Sequence, residues 1–190
     1  KIFSNLKIKK CSDINSVVAE LLFNEKIIAR FDGRSECGPR ALGNRSILAS
    51  PFKKGIKDYL NENIKFREDF RPYGCSVLKE DSQKYFDHNS DFNNPYMGFA
   101  VPVRTEYREL LKEVLHLDET NRMQIVSKDI NPRYHALILA FKNFSQHGIL
   151  LNTSLNIMGE PIVETLEDLY QFFIQSKVDA LMVGDYLIEK

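Results

Sequence analysis

The sequence predicts an α/β or α+β protein, with at least one sheet covered by helices, and three observations carry that prediction. Short β-rich runs alternate along the whole chain with stretches whose apolar residues recur at helical spacing. Polar, glycine-bearing loops follow the ends of several of those runs, where α/β sheets place their ligands. The composition, 43% hydrophobic and 27% charged over 190 residues, suffices for one substantial core, and a single domain spanning residues 1–190 is expected.

The first helix is signalled by Ile14, Val17, Val18, Leu21 and Leu22 behind a possible Asp13 cap, running to about Asn24. Ile27 to Phe31 reads as a strand ending at Asp32-Gly33, so the arginine-bearing segment that follows leaves a strand end. Ser46 to Ser50 is the next strand, stopped by Pro51, and Lys53 to Asn63 has helical character. A second charged cluster, Lys65 to Pro72, mirrors the first. Cys75 to Leu78 reads as a strand, Ser82 to Phe86 as a short helix, Asp87 to Pro95 as a polar loop and Tyr96 to Val103 as a strand with Pro102 at an edge or bulge. The pattern of Arg104 to Val114 fits either a helix or an irregular segment. His116, Asp118, Thr120, Arg122 and Gln124 alternate, so an extended backbone would put all five on one face, meeting either water or a polar ligand.

Asn131 to His147 is the clearest helix, with Asn131 as cap, Pro132 at its first position and an end at Gly148. Ile149 to Leu151 then forms a short strand leading into Asn152-Thr153-Ser154-Leu155-Asn156, a third candidate site. Thr165 and Asp168 have the spacing of a capping box for a helix to about Ser176, and Ala180 to Ile188 supplies one or two closing strands around Gly184-Asp185.

Lys+Arg and Asp+Glu are equal at 26 each, so no global field recruits nucleic acid or an anionic membrane, and any anion site is local. The three cysteines are widely spaced, which disfavours a disulfide framework and a zinc site and suggests a reducing, cytoplasmic setting. The sequence has neither a membrane-length apolar run nor a leader pattern, and it opens at Lys1, compatible with a fragment of something longer.

Chemistry concentrates in Gly33 to Ser46, which holds Arg34, Arg40 and Arg45 among three glycines, a proline and Glu36. Guanidinium groups fork onto phosphate or carboxylate oxygens, and glycines let backbone approach a ligand; the alternative is a solvated basic loop. The glycine spacing of Gly38 to Gly43 resembles a Walker loop, but Asn44 stands where a lysine is needed and a strand follows. Cys37 has cationic neighbours without a placed histidine partner, and His116 with Asp118 is a weak metal pair. Asn152-Thr153-Ser154 has the form of a glycosylation acceptor, yet its side chains suit hydrogen bonding to a phosphate or planar amide. Glu160 either caps the turn that follows or contacts a ligand.

Five segments together resemble a known family: Gly38 to Ser46, Lys65 to Pro72, His116 through Gln124, Leu151 to Asn156, and Gly159-Glu160-Pro161. They are similar, in order and over nearly the whole chain, to the O-carbamoyltransferases of antibiotic and nodulation-factor biosynthesis, whose C-terminal domain is YrdC-like. The chain departs from the family where it carries Cys37 for an aromatic, Glu119 for a glycine and Leu155 for a frequent Phe. The resemblance implies a twisted, mixed open sheet flanked by helices. It also implies formation of carbamoyl-adenylate from carbamoyl phosphate and ATP, with Mg²⁺ accompanying the nucleotide, bound mainly by phosphates and water. An actin-like N-terminal domain, absent from this chain and carrying an iron-type metal, would then transfer the carbamoyl group to a hydroxyl. On this reading Arg40, Lys65 and Arg71 are catalytic. Arg34, Gly43, Asn44, Arg45, Ser46, Arg67, His116, Arg122, Gln124, Asn152, Ser154, Asn156 and Glu160 bind substrate or ATP, and the chain itself holds no metal. Asn152, Ser154 and Asn156 would orient the carbamoyl amide. A non-catalytic nucleotide- or RNA-binding YrdC-like module and a structural interaction domain are the alternatives.

Overall fold

A computed structural model describes residues 2–190. The strands are β1 (Lys7–Lys10), β2 (Ile28–Phe31), β3 (Arg45–Ala49), β4 (Gly74–Leu78), β5 (Val101–Pro102), β6 (Thr120–Asn121), β7 (Gln124–Val126), β8 (Ile149–Ser154), β9 (Ala180–Val183) and β10 (Tyr186–Glu189). The helices are α1 (Ile14–Phe23), α2 (Ile56–Leu60), α3 (Ser82–Tyr85), α4 (Pro132–Ser145) and α5 (Leu166–Gln175). Eight strands form one open mixed sheet in the order β1-β10-β9-β2-β3-β8-β4-β7, with β2–β9 and β4–β7 parallel and the other pairs antiparallel. Among the described residues no helix is long and apolar enough to cross a membrane.

Period-two alternation divides the core between the two faces of this sheet. Ile28, Leu48, Leu78, Leu150 and Met182 face α1 and α4, which bury Val18, Leu22, Leu137, Ile138 and Phe141 against them. Ala29, Ile47, Val77, Leu151 and Leu181 face the other way, toward α2, α5 and the segment between α3 and β7. Helix ends follow local chemistry. Asp13 accepts from Ser16 N–H, Asn131 accepts from Tyr134 N–H ahead of Pro132, and Thr165 and Asp168 form a reciprocal capping box.

Several expectations need correction. The stretch Tyr96 to Val103 is extended only over β5, because Met97 sits at φ 54° and the buried Asn94 side chain folds the segment back, accepting from Gly98 N–H at 2.8 Å and donating to Phe99 O and Met123 O. The polar row from His116 to Gln124 is not one strand: Glu119 turns at φ 62°, and His116 N–H donates to Thr120 O at 2.9 Å. Gln146, at φ 65°, ends α4; Gly148 is needed instead for close approach, since a Cβ there would stand 2.3 Å from Asp81 Oδ2. The helix expected over Lys53 to Asn63 is α2 running into a π-helical turn, Asn61–Lys65. Arg104 to Val114 contains one 3₁₀ turn, Thr105–Tyr107, and β1, three exposed lysines and Ile8 without a sequence signal of burial, pairs along β10 at the edge of the sheet.

Candidate functional site

Both charged loops and the end of β8 meet in one cleft of about 380 Å³. Its walls carry Arg40 from the first loop, Arg67 and Arg71 from the second, His116 and Arg122 from the broken row, and Asn152 and Ser154 from β8. Among the described residues the Arg40 and Arg122 guanidiniums have no ion pair and donate no side-chain hydrogen bond, whereas Arg71 pairs with Glu68 at 3.2 Å. Partial burial, and then the Arg122 charge, lower the Arg40 pKa. Burial first, with Arg122 acting the same way against Asp118, holds the His116 imidazole below its ordinary range. Cations gathered without counter-charges raise each other's energy until an anion enters.

A buried network fixes the arginine loop. Glu36 Oε1 accepts from the backbone N–H groups of Leu42, Asn44 and Arg45 at 2.8, 2.7 and 3.3 Å, so one carboxylate closes the turn from inside. Arg30, fully buried on β2, donates to Asp32 Oδ2 at 2.6 Å and to Gly43 O, and Arg133 on α4 donates to the same Asp32 carboxylate at 2.9 Å. Gly43 lies at φ 112° against the Tyr134 ring, where an added Cβ would meet ring carbon at 2.3 Å, so only glycine lets the loop settle there. Arg45, only 4% exposed, donates to the carbonyls of Asp32, Asn44 and Gly33 and stacks 3.6 Å from the Phe31 ring.

The second loop hangs on Asn61. Its amide donates to Asp69 O and Arg71 O, and its Oδ1 accepts from Arg67 Nε at 2.8 Å and Tyr73 O–H at 2.6 Å. The π-helical turn brings Asn61 under the loop and aims Lys65 at the end of β8, a widening of the kind often found at functional sites. Lys65 is 3% exposed, and its Nζ donates among four oxygens, O and Oγ of Ser154 and O and Oδ1 of Asn156, at 2.6 to 3.2 Å. Burial first, then the Arg67 charge, lowers its pKa to about 7.

Ser76, Gln124 and Asn152 form a polar island on the α4 face of the sheet. Ser76 Oγ donates to Gln124 Oε1 at 2.8 Å, and Gln124 Nε2 donates to Leu42 O at 2.9 Å. Asn152 Nδ2 donates to Ala41 O, Ser76 Oγ and Gln124 Oε1.

Of the residues singled out from the sequence, Arg40, Arg67, Arg71, His116, Arg122, Asn152 and Ser154 therefore share the cleft. Gly43, Asn44, Arg45 and Ser46 lie behind it and hold the arginine loop: Asn44 Nδ2 donates to Arg34 O, and Ser46 Oγ accepts from Gly43 N–H. Gln124 is buried beneath Leu42, and Lys65 and Asn156 anchor one another beside the end of β8. The exposed Arg34 side chain is outside the cleft walls, and Glu160 borders a separate depression beside α5. Tyr73, Gly74 and Met97 also line the cleft. Sequence patterning did not mark them, nor Asn61, whose only signal is an amide beside the apolar stripe of a helix.

The chain matches the family model described as carbamoyltransferase C-terminus over residues 19–190. It is 45% identical over 189 residues to nodulation protein NolNO of Sinorhizobium fredii, covering 98% of this chain and 28% of that protein. It is 41% identical over 160 residues to a 3'-hydroxymethylcephem-O-carbamoyltransferase of Amycolatopsis lactamdurans, covering 84% of this chain and 30% of that protein. The chain thus spans less than a third of the length of either relative. Among solved structures, full-length HypF in a phosphate- and nucleotide-bound form superposes with a TM-score of 0.64 at 16% identity, covering 94% of this chain and 22% of HypF, a likeness of fold. With the mixed sheet, its flanking helices and this match across nearly all its length, the chain belongs to the carbamoyltransferase C-terminal family and has a YrdC-like α/β fold.

Proposed function

We propose that this chain binds carbamoyl phosphate and ATP in the arginine cleft and forms carbamoyl-adenylate, which a separate part of a longer protein uses to carbamoylate a hydroxyl. The observation that carries the reading is the pair of uncompensated guanidiniums, Arg40 and Arg122, converging with Arg67 and Arg71 on one cleft. In the balanced reaction, water releases phosphate from carbamoyl phosphate to leave carbamate. A carbamate oxygen then bonds to the α-phosphorus of ATP as the bond to pyrophosphate breaks. The demand on a protein in such a step is positioning and neutralisation of charge spread over phosphoryl oxygens. Arg40 and Arg122 are the cations free to meet those oxygens, and Arg67, held by Asn61, has its fork already oriented. Lys65 acts at one remove by tying Ser154 to Asn156.

Among the described residues no three His, Cys, Asp or Glu side chains converge as metal ligands. No Asp or Glu lines the cleft, so in this reading an ion accompanying ATP would be carried mainly by phosphates and water. The lengths of the relatives support a parent protein whose remaining part, of actin-like type in this reading, performs the transfer. Pyrophosphate release from ATP, followed with and without carbamoyl phosphate in the longer protein, tests the proposal. Release that requires both substrates is expected, and release indifferent to carbamoyl phosphate would overturn it.

A further inference from the structure

The turn at Glu119 joins three side chains of the broken row into a hydrogen-bonded chain that ends on the cleft wall. Four residues of extended strand would hold two side chains about 13 Å apart, whereas here His116 N–H donates to Thr120 O and the two side chains meet. Thr120 Oγ1 donates to Asp118 Oδ1 at 2.7 Å, and the same carboxylate oxygen accepts from Thr120 N–H at 3.2 Å. The one hydroxyl proton of Thr120 is thereby committed, so its contact with His116 Nδ1 at 3.3 Å requires the imidazole to donate. With the proton on Nδ1, the ring's lone pair lies on Nε2. That atom has no hydrogen-bond partner among the described residues, it is not sealed from solvent, and the ring is part of the cleft wall.

The proposed reaction begins with a water that must lose a proton as it attacks carbamoyl phosphate, and few groups on the cleft wall can take one. Arg40, Arg67, Arg71 and Arg122 keep their protons. Tyr73 O–H donates to Asn61 Oδ1, and burial pushes its pKa up to about 12. The amide of Asn152 and the hydroxyls of Thr153 and Ser154 are too weakly basic, and no carboxylate lines the cleft. His116 alone on this wall offers a vacant basic lone pair near neutral pH. Burial favours its neutral form, and Arg122 adds to that against Asp118.

Resting on the proposed function, we infer that His116 is a catalytic base whose Nε2 takes a proton from the water that attacks the carbamoyl carbon. The water oxygen bonds to that carbon, and the C–O bond to phosphate breaks with its electron pair. The imidazolium passes its proton to the departing phosphate, and the carbamic acid left behind ionises to carbamate. Thr120 and Asp118 are positioning residues: they keep the other proton on Nδ1 and set a carboxylate behind the imidazolium while it lasts.

Phosphate release from carbamoyl phosphate and pyrophosphate release from ATP, followed separately in the longer protein, test the role, because ammonium carbamate in place of carbamoyl phosphate bypasses the water step. Folded His116→Gln, checked by melting curves, is expected to lower kcat for phosphate release by about a hundredfold or more, with KM for carbamoyl phosphate changed less than about threefold. Pyrophosphate release driven by ammonium carbamate is expected to fall by at most about threefold. In wild type, kcat for phosphate release is expected to rise with pH through a midpoint below the ordinary 6.5 of imidazole, since the neutral ring is the active form, and the rise is expected to vanish in His116→Gln. The ring is faced by Asp118 and Arg122 of its own segment and by Arg40, Arg67 and Arg71 in the cleft. Lys57, Asp58, Glu62 and Asp69 line the adjoining groove, and loss of the rise in His116→Gln separates the ring from all of these. A smaller loss of phosphate release in folded His116→Gln, or equal losses with carbamoyl phosphate and with ammonium carbamate, would overturn the inference and leave the proposed function standing. Pyrophosphate release that needs neither compound would instead overturn the proposed function. Should His116→Gln not fold, Thr120→Val removes the acceptor from Nδ1. A kcat for phosphate release lowered about fivefold or more at unchanged KM, and restored in Thr120→Ser, supports the inference, and an unchanged kcat counts against it.

Discussion

At the scale of single residues, the cleft ranks its cations by what already holds them. Arg40 and Arg122 are uncommitted, Arg71 is exposed and paired with Glu68, and Lys54 lies outside the cleft walls. Loss of a charge-assisted hydrogen bond costs about 1.5 to 3 kcal/mol, or roughly ten- to a hundredfold in affinity. Arg40→Ala and Arg122→Ala are expected to weaken carbamoyl phosphate or ATP binding by that factor, Arg71→Ala by less, and Lys54→Ala by under about threefold. Calorimetric titration of the folded variants measures the order, and equal affinities in all four would dissociate the arginine loop from the site. Lys65 makes a second prediction. Its folded pKa of about 7 lies below the 10.5 of the ordinary amine, so between these values the unfolded chain binds more protons and stability rises with pH. The melting temperature of wild type relative to Lys65→Met is therefore expected to climb from pH 7 toward pH 10 and to be flat below. A difference independent of pH would show that the four surrounding oxygens keep the ammonium charged throughout.

At the scale of elements, the two arginine-bearing loops are held from inside by single polar side chains, Glu36 in one and Asn61 in the other. Asn61→Leu would leave Arg67 Nε, Tyr73 O–H and the carbonyls of Asp69 and Arg71 without their partner. It is expected to cost about 1 to 3 kcal/mol in urea unfolding and to weaken anion binding through a mobile Arg67, although Asn61 itself does not line the cleft. Unchanged stability would mean that water replaces the amide. Elements whose ends are decided by near neighbours were legible in sequence. Asp13, Asn131-Pro132 and the Thr165–Asp168 box each act within three residues, and the structure puts a cap at each. The strand expected over Tyr96 to Val103, and the single face that an extended His116 to Gln124 would give, are interrupted at Met97 and Glu119, where the backbone turns left-handed. The π-helical turn escapes periodicity as well: its one-residue shift is invisible to a 3.6-residue repeat.

At the scale of the molecule, equal numbers of acidic and basic residues leave no net charge on the chain, while arginines without counter-charges gather in the cleft. A nucleic-acid-binding role would need a broad basic face, and its affinity would fall steeply with salt. Titration of a single-stranded RNA at low and moderate salt is expected to show weak binding that ATP displaces; tight, strongly salt-dependent binding indifferent to ATP would favour the RNA-binding alternative. The sequence by itself determined the α/β class, most helices and strands, and seven of the residues that line the cleft, because these depend on local pattern and on residue types clustered along the chain. Only the tertiary structure decided which charges are available. Arg45 and Lys65 are as basic in sequence as Arg40, yet they are spent on carbonyl and amide oxygens of neighbouring segments, while Arg40 and Arg122, remote in sequence, are brought together without a counter-charge. The physical reason is that a guanidinium or ammonium is valued by its partners, and the partners of a loop residue come from strands and helices that only the folded sheet places beside it.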